Sequence, residues 1–140
     1  MKITSNTFDN GKYFELSNKT PHIKWDHVQS AKSYIVLINN KTECINNWLL
    51  PKISPYINEL PEIETKNEYL IKLNGYDIIQ GKNSFRQYGF NNVKIEEKNI
   101  FVIKVYAINK VLEDKIYNYK KMMFQIQNSI IDFGEYYGWN

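Results

Sequence analysis

The sequence predicts a mainly β protein, a β-sandwich or twisted sheet with one or two helices packed late in the chain. Three observations predict it. Two apolar, β-branched runs, SAKSYIVLINN (Ser30 to Asn40) and FVIKVYAIN (Phe101 to Asn109), are bounded by polar residues and read as buried strands. Beyond Asn109 period-two alternation is lost, and apolar residues recur at helical spacing at Met123, Ile126, Ile130 and Phe133. The length of 140 residues suits one domain, expected to span residues 1–140.

In chain order, IKWDHV (Ile23 to Val28) is expected to form a strand, followed by Ser30 to Asn40. LLPKISPYINELPEIE (Leu49 to Glu64) carries three of the four prolines and is expected to be largely irregular, because proline removes ladder donors. EYLIKLNGY (Glu68 to Tyr76) reads as another strand. In Phe101 to Asn109 only Lys104 is charged, so both faces of that strand should be covered. Asn118 is placed to cap the late helix and Gly134 to end it, with Met122, Met123 and Phe124 in the core.

Composition excludes several classes. The net charge is +3 and the lysines are scattered, so no basic stripe for nucleic acid is present; Lys120 and Lys121 read as a solvated helix face. No apolar run approaches the roughly 20 residues of a membrane-spanning helix, and the start MKITSNTFDNGK has no signal-peptide pattern, so a cytoplasmic setting is expected. Cys44 is the single cysteine, which excludes an internal disulfide and a multi-thiolate metal site. Nothing in the spacing ties Cys44 to His22 or His27, so a thiol hydrolase is a remote reading.

GKNSFRQYGF (Gly81 to Phe90) concentrates two glycines and three aromatic rings. It fails the P-loop pattern: five residues separate Gly75 from Gly81 where four are needed, and Asn83 stands in place of the metal-binding hydroxyl. Taken with other blocks, it resembles the phosphatidylethanolamine-binding protein (PEBP) family, in its bacterial Raf-kinase-inhibitor-like branch. MKITSNTFDNGK is similar to that family's opening, and Thr20, Pro21, Ile23, Trp25, Lys32 and Ser33 fall on its Ser-Pro-x-Leu-x-Trp and Lys-Ser positions. NWLLPKIS resembles the His-Trp-Val-Val-x-Asn-Ile-Pro block and NELPE the Leu-Pro-Glu turn. GKNSFRQYGF is similar to Gly-x-Asn-Asp-Phe-Gly-x-x-Gly-Tyr, and FVIKVYAIN to Tyr-x-Phe-x-Val-Tyr-Ala-Leu-Asp. The matches run in order from Met1 to about Asn109.

The resemblance implies a PEBP-like β-sandwich with a peripheral and C-terminal helix, and a pocket beside the glycine-rich element, where Gly81, Asn83, Phe85, Gly89 and Phe90 occupy the corresponding positions. It also implies that the pocket's aspartate and two histidines fall on Asn40, Asn47 and Asn99. Val93 and Ile95 stand where prolines are usual, and Phe101 replaces a tyrosine. Asparagine has no proton to exchange near neutral pH, so acid–base catalysis by these three is excluded and no enzyme activity, cofactor or metal is expected. The expected site is Asn40, Asn47, Trp48, Gly81, Asn83, Phe90, Asn99 and Phe101, for a small polar or anionic, headgroup-like ligand; with three carboxamides in place of charged groups, a ligand still held is expected to be neutral or zwitterionic, with little pH dependence from about 5 to 8. The alternative is a protein-interaction or regulatory module, kinase-inhibitor-like, with a vestigial pocket. A homodimer and a protein partner are compatible with either; nucleic acid and membrane insertion are not expected.

Overall fold

A computed structural model describes residues 1–7, 19–91 and 99–139. Val93 and Ile95 lie outside the described residues. Nine strands and one helix are present among the described residues, in two antiparallel sheets. A small sheet has the order β1 (Ile3–Thr4), β2 (Ile23–Trp25), β5 (Glu59–Leu60). The large sheet runs β6 (Leu70–Leu73), β7 (Tyr76–Ile79), β4 (Ile45–Ile53), β3 (Ser33–Asn40), β8 (Ile100–Ile108), β9 (Ile130–Trp139). The helix, α1 (Tyr119–Ile126), precedes β9.

The two apolar runs form the centre, β3 paired with β8 from Ser33↔Ile108 to Asn40↔Phe101. Both faces are covered, and for different reasons. Tyr34, Val36 and Ile38 join Trp25, Trp48, Phe101 and Ile103 in the core between the sheets. Ile35 and Leu37 turn the other way, under Met122 and Ile126 of α1. Each such fully buried aliphatic side chain contributes roughly 1.5–3 kcal/mol relative to exposure.

Three local expectations are corrected. The first is that Leu49 to Ile53 is no loop; it completes β4. Pro51 is accommodated because the register slips from Tyr34↔Ile53 to Val36↔Leu50, which sets Pro51 and Lys52 against Ile35 alone in a bulge that needs no donor from the proline. The second is that Glu68 to Tyr76 is not one strand. Asn74 and Gly75, at φ 49° and 83°, turn the chain back so that β6 and β7 form a hairpin of the Asn-Gly type.

The third concerns the C-terminal segment. Asn118 does cap α1, its side chain accepting from Lys121 N at 2.8 Å, but the helix ends at Ile126. Ile130 to Trp139 is then an edge strand along β8, and Gly134 lies inside it opposite Val105. The helical spacing therefore bridges two elements. Ile130 and Phe133 belong to β9, where Ile131, Phe133, Glu135, Tyr137 and Trp139 share one exposed face. Within α1, Met122 is fully buried and Met123 half-buried, whereas Phe124 is 70 % exposed and outside the core.

Candidate functional site

The strand registers gather the predicted asparagines at one end of the large sheet. Asn40 is the last residue of β3 and pairs with Phe101 on one side and Ile45 on the other. Asn99 lies two residues before Phe101 and is buried. Asn47 sits at a second bulge, because the register passes from Ile38↔Trp48 directly to Asn39↔Asn46 and leaves Asn47 unpaired in that ladder. Trp48 and Phe101 are part of the core between the sheets.

The amides at this end have different roles. Asn40 Oδ1 accepts from Glu43 N at 3.0 Å and so holds the turn into β4. Asn47 forms a reciprocal pair with Asn91: its Nδ2 donates to the Asn91 carbonyl at 2.9 Å, and its own carbonyl accepts from Asn91 N at 2.9 Å. Among the described residues, Asn47 Oδ1 is buried and accepts no hydrogen bond. Asn46, which the sequence reading missed, donates through Nδ2 to Asn39 Oδ1 and to the Trp48 carbonyl, each at 2.9 Å, and its buried Oδ1 is likewise unpartnered. Only the bulge makes Asn46 a site neighbour, and no local pattern announces that bulge. A hollow of about 280 Å³ at this end is lined by Asn39, Asn40, Cys44, Asn46, Ser84 and Tyr119. Asn47, Trp48, Phe90 and Asn99 do not line it.

The glycine-rich element runs alongside β4. Gly81 N donates to Leu49 O at 2.8 Å, Ser84 N to Asn46 O at 3.0 Å and Asn91 N to Asn47 O. Gly81 is required by close approach, since a Cβ there would meet Leu49 Cδ2 at 2.7 Å and Tyr117 O at 3.0 Å. Gly89 is required by its φ of 95°. Asn83 is buried and engaged within its own loop: Nδ2 donates to Gly89 O, and Oδ1 accepts from Phe85 N and Gln87 N. Phe90 meets the Trp48 ring edge-on at 6.3 Å. Trp48 is held from the other side by Gln80, whose Oε1 accepts from Nε1 at 3.0 Å; Gln80 was also missed, although it directly precedes Gly81.

With this geometry, two solved structures are similar over nearly the whole chain. A phosphatidylethanolamine-binding protein homologue from Chlamydia trachomatis matches with a TM-score of 0.79 at 18% identity, covering 99% of this chain and 95% of that one. YbcL of E. coli, described as a new member of the mammalian PEBP family, matches at 0.74 and 19% identity, over 99% and 96% of the two chains. The chain has the PEBP fold. No family model and no curated protein matches the sequence itself. In this chain the end of the large sheet that carries Asn40, Asn47 and Asn99 is also the end flanked by the glycine-rich element.

The residues of the remote hydrolase reading lie in separate elements. Cys44 is exposed in the β3–β4 turn, with Lys41 O as its 3.9 Å contact. His22 precedes β2 in the other sheet, where Nδ1 accepts from Asn6 N at 2.9 Å and Nε2 lies 2.6 Å from Glu59 Oε2. That hydrogen bond holds the Glu59 carboxyl below its ordinary range.

Proposed function

We propose that the chain is a non-enzymatic member of the PEBP family. It holds a small neutral or zwitterionic ligand of the phospholipid-headgroup kind at the carboxamide end of its large sheet. The observation that carries this reading is that two buried carboxamide oxygens at that end, Oδ1 of Asn46, which lines the hollow, and Oδ1 of its neighbour Asn47, accept no hydrogen bond among the described residues. Such an orphaned acceptor costs roughly 1–3 kcal/mol, a penalty removed by any ligand that brings an N–H or O–H donor. Carboxamides do not titrate, so the contacts they make change little with pH, and they supply no proton for catalysis.

The test is a titration of the full chain with glycerophosphoethanolamine, followed by backbone amide shifts. The shifts are expected at Asn40, Asn46, Asn47 and Asn99, with affinity constant to about twofold from pH 5 to 8 and about tenfold weaker for Asn47→Leu. Steep tightening towards acid, or an unchanged affinity in the variant, contradicts the reading.

One observation favours the interaction reading as a second possibility. Ile131, Phe133, Tyr137 and Trp139 are all exposed on one face of the edge strand β9, a mainly apolar row interrupted by Glu135, of the kind that marks a docking surface.

A further inference from the structure

We propose a second ligand site, which adjoins the carboxamide-end hollow at Ser84 but has its own lining, where the loop after Gly81 meets the start of α1. It is suited to a soluble phosphomonoester borne on an aromatic or alkyl body. Two hollows meet there. One, of about 360 Å³, is lined by Lys82, Ser84, Arg86, Asn118 and Lys121 among others. The other, of about 480 Å³, is walled by Ile116, Tyr117 and Phe124 and rimmed by Lys115, Lys120 and Lys121. They share Ile116 and Lys121.

The charge in this region is segregated. The chain as a whole carries 18 basic and 15 acidic residues, yet among the described residues five cations and no carboxylate line the two hollows. Lys115 lies 3.8 Å from Glu113 at the rim, and Lys82 stands over the Tyr88 ring. Among the described residues Arg86, Lys120 and Lys121 form no ion pair.

The neutral groups have the same polarity. Ser84 Oγ accepts from Asn46 N, which leaves its hydroxyl proton to donate. Asn118 Oδ1 is occupied by the cap to Lys121 N, so its Nδ2 is the group left over. A lining dominated by cations and donors, with the Gln125 amide at its edge, matches a ligand rich in acceptors, and a fully ionised phosphate is that ligand; the Arg fork adds bidentate geometry. The adjoining apolar wall, with Phe124 70 % and Ile116 51 % exposed, matches a ring or alkyl group beside the phosphate.

Arg86 supplies an independent sign. It is held at φ 61°, a conformation that disfavours any residue with a Cβ. The tight Asn83–Gln87 loop imposes this: Asn83 N donates to Gln87 O and Arg86 N to Asn83 O. Lys82 N donates to Tyr117 O and fixes the loop to the segment that enters α1. A glycine would satisfy this backbone better, so the guanidinium occupies its place in the hollow against local preference.

The experiment titrates the full chain with phenyl phosphate, inorganic phosphate and phenol, reading amide shifts. Phenyl phosphate is expected to move Lys82, Arg86, Lys121 and Phe124, to bind about tenfold tighter than inorganic phosphate, and to exceed phenol by more. Arg86→Gly should weaken it about tenfold while unfolding at the same or higher denaturant concentration, because the strained φ is relieved. Lys121→Glu should also weaken it, at the third helical residue, where an acidic side chain suits the helix start. Phe124→Ser should weaken phenyl phosphate and leave inorganic phosphate unchanged. The proposal is overturned if folded Arg86→Gly and Lys121→Glu proteins bind as the parent does. It is equally overturned if phenyl phosphate is silent while phosphatidic acid vesicles bind, which would make the patch a bilayer surface.

Discussion

Glu135 shows how a single side chain on the exposed sheet face acquires a measurable role. The Tyr137 hydroxyl donates to Oε2 at 2.7 Å, and Lys104 Nζ lies 3.4 Å from Oε1. Together, with the Tyr137 hydrogen bond foremost, they hold its carboxyl below the ordinary value of 4.5. A depressed carboxylate stabilises the fold above its unfolded pKa and loses that contribution as pH falls through the lower, folded one. Melting temperature is therefore expected to fall as pH drops below about 4.5, and Glu135→Gln should flatten that part of the profile. A parent-like acid slope in the variant would remove Glu135 from the account. At this scale the sequence was partly legible: Gly81 and Gly89 were readable as shape-determining glycines, whereas the strain at Arg86 was not, because only the closed loop dictates its φ.

At the scale of elements, β9 and β4 carry the lesson. Both contain residues that argue locally against a strand, Gly134 and Pro51, and both are strands because of what lies beside them. Pro51 falls in a bulge, where no ladder donor is asked of it. Gly134 faces the N-terminal segment so closely that a Cβ would lie 2.6 Å from Met1 O and 3.1 Å from Ile3 Cγ1. Gly134→Ala is expected to destabilise by about 1–3 kcal/mol in a urea melt, since backbone must shift to admit the methyl. If stability is unchanged, β1 does not dock on β9 as described. Asn118, by contrast, was readable from its position before an apolar-periodic run, whereas Glu68 to Tyr76 read as one strand although its Asn74-Gly75 dipeptide marks the turn.

For the whole molecule, the large sheet separates two apolar clusters and leaves one long face of β9 without a covering layer. If that stripe docks a second copy, sedimentation at concentrations on the order of 100 μM should show a dimer, and Phe133→Lys with Trp139→Lys should return it to monomer. A parent that is monomeric there would remove self-association from the interaction reading. The double variant is expected to keep the parent fold, because neither residue belongs to the buried clusters.

By itself the sequence determined what depends on neighbours a few residues away: the β class, the two central strands, the helix cap and the resemblance to the PEBP family. Side-chain alternation and capping are local, so a linear string carries them in full. Tertiary structure alone decided which of two periodicities β9 obeys, where the bulges fall, and which amides keep an unsatisfied oxygen. Those outcomes rest on register between strands far apart in the chain, and a shift of one residue in that register would redirect every side chain at the site.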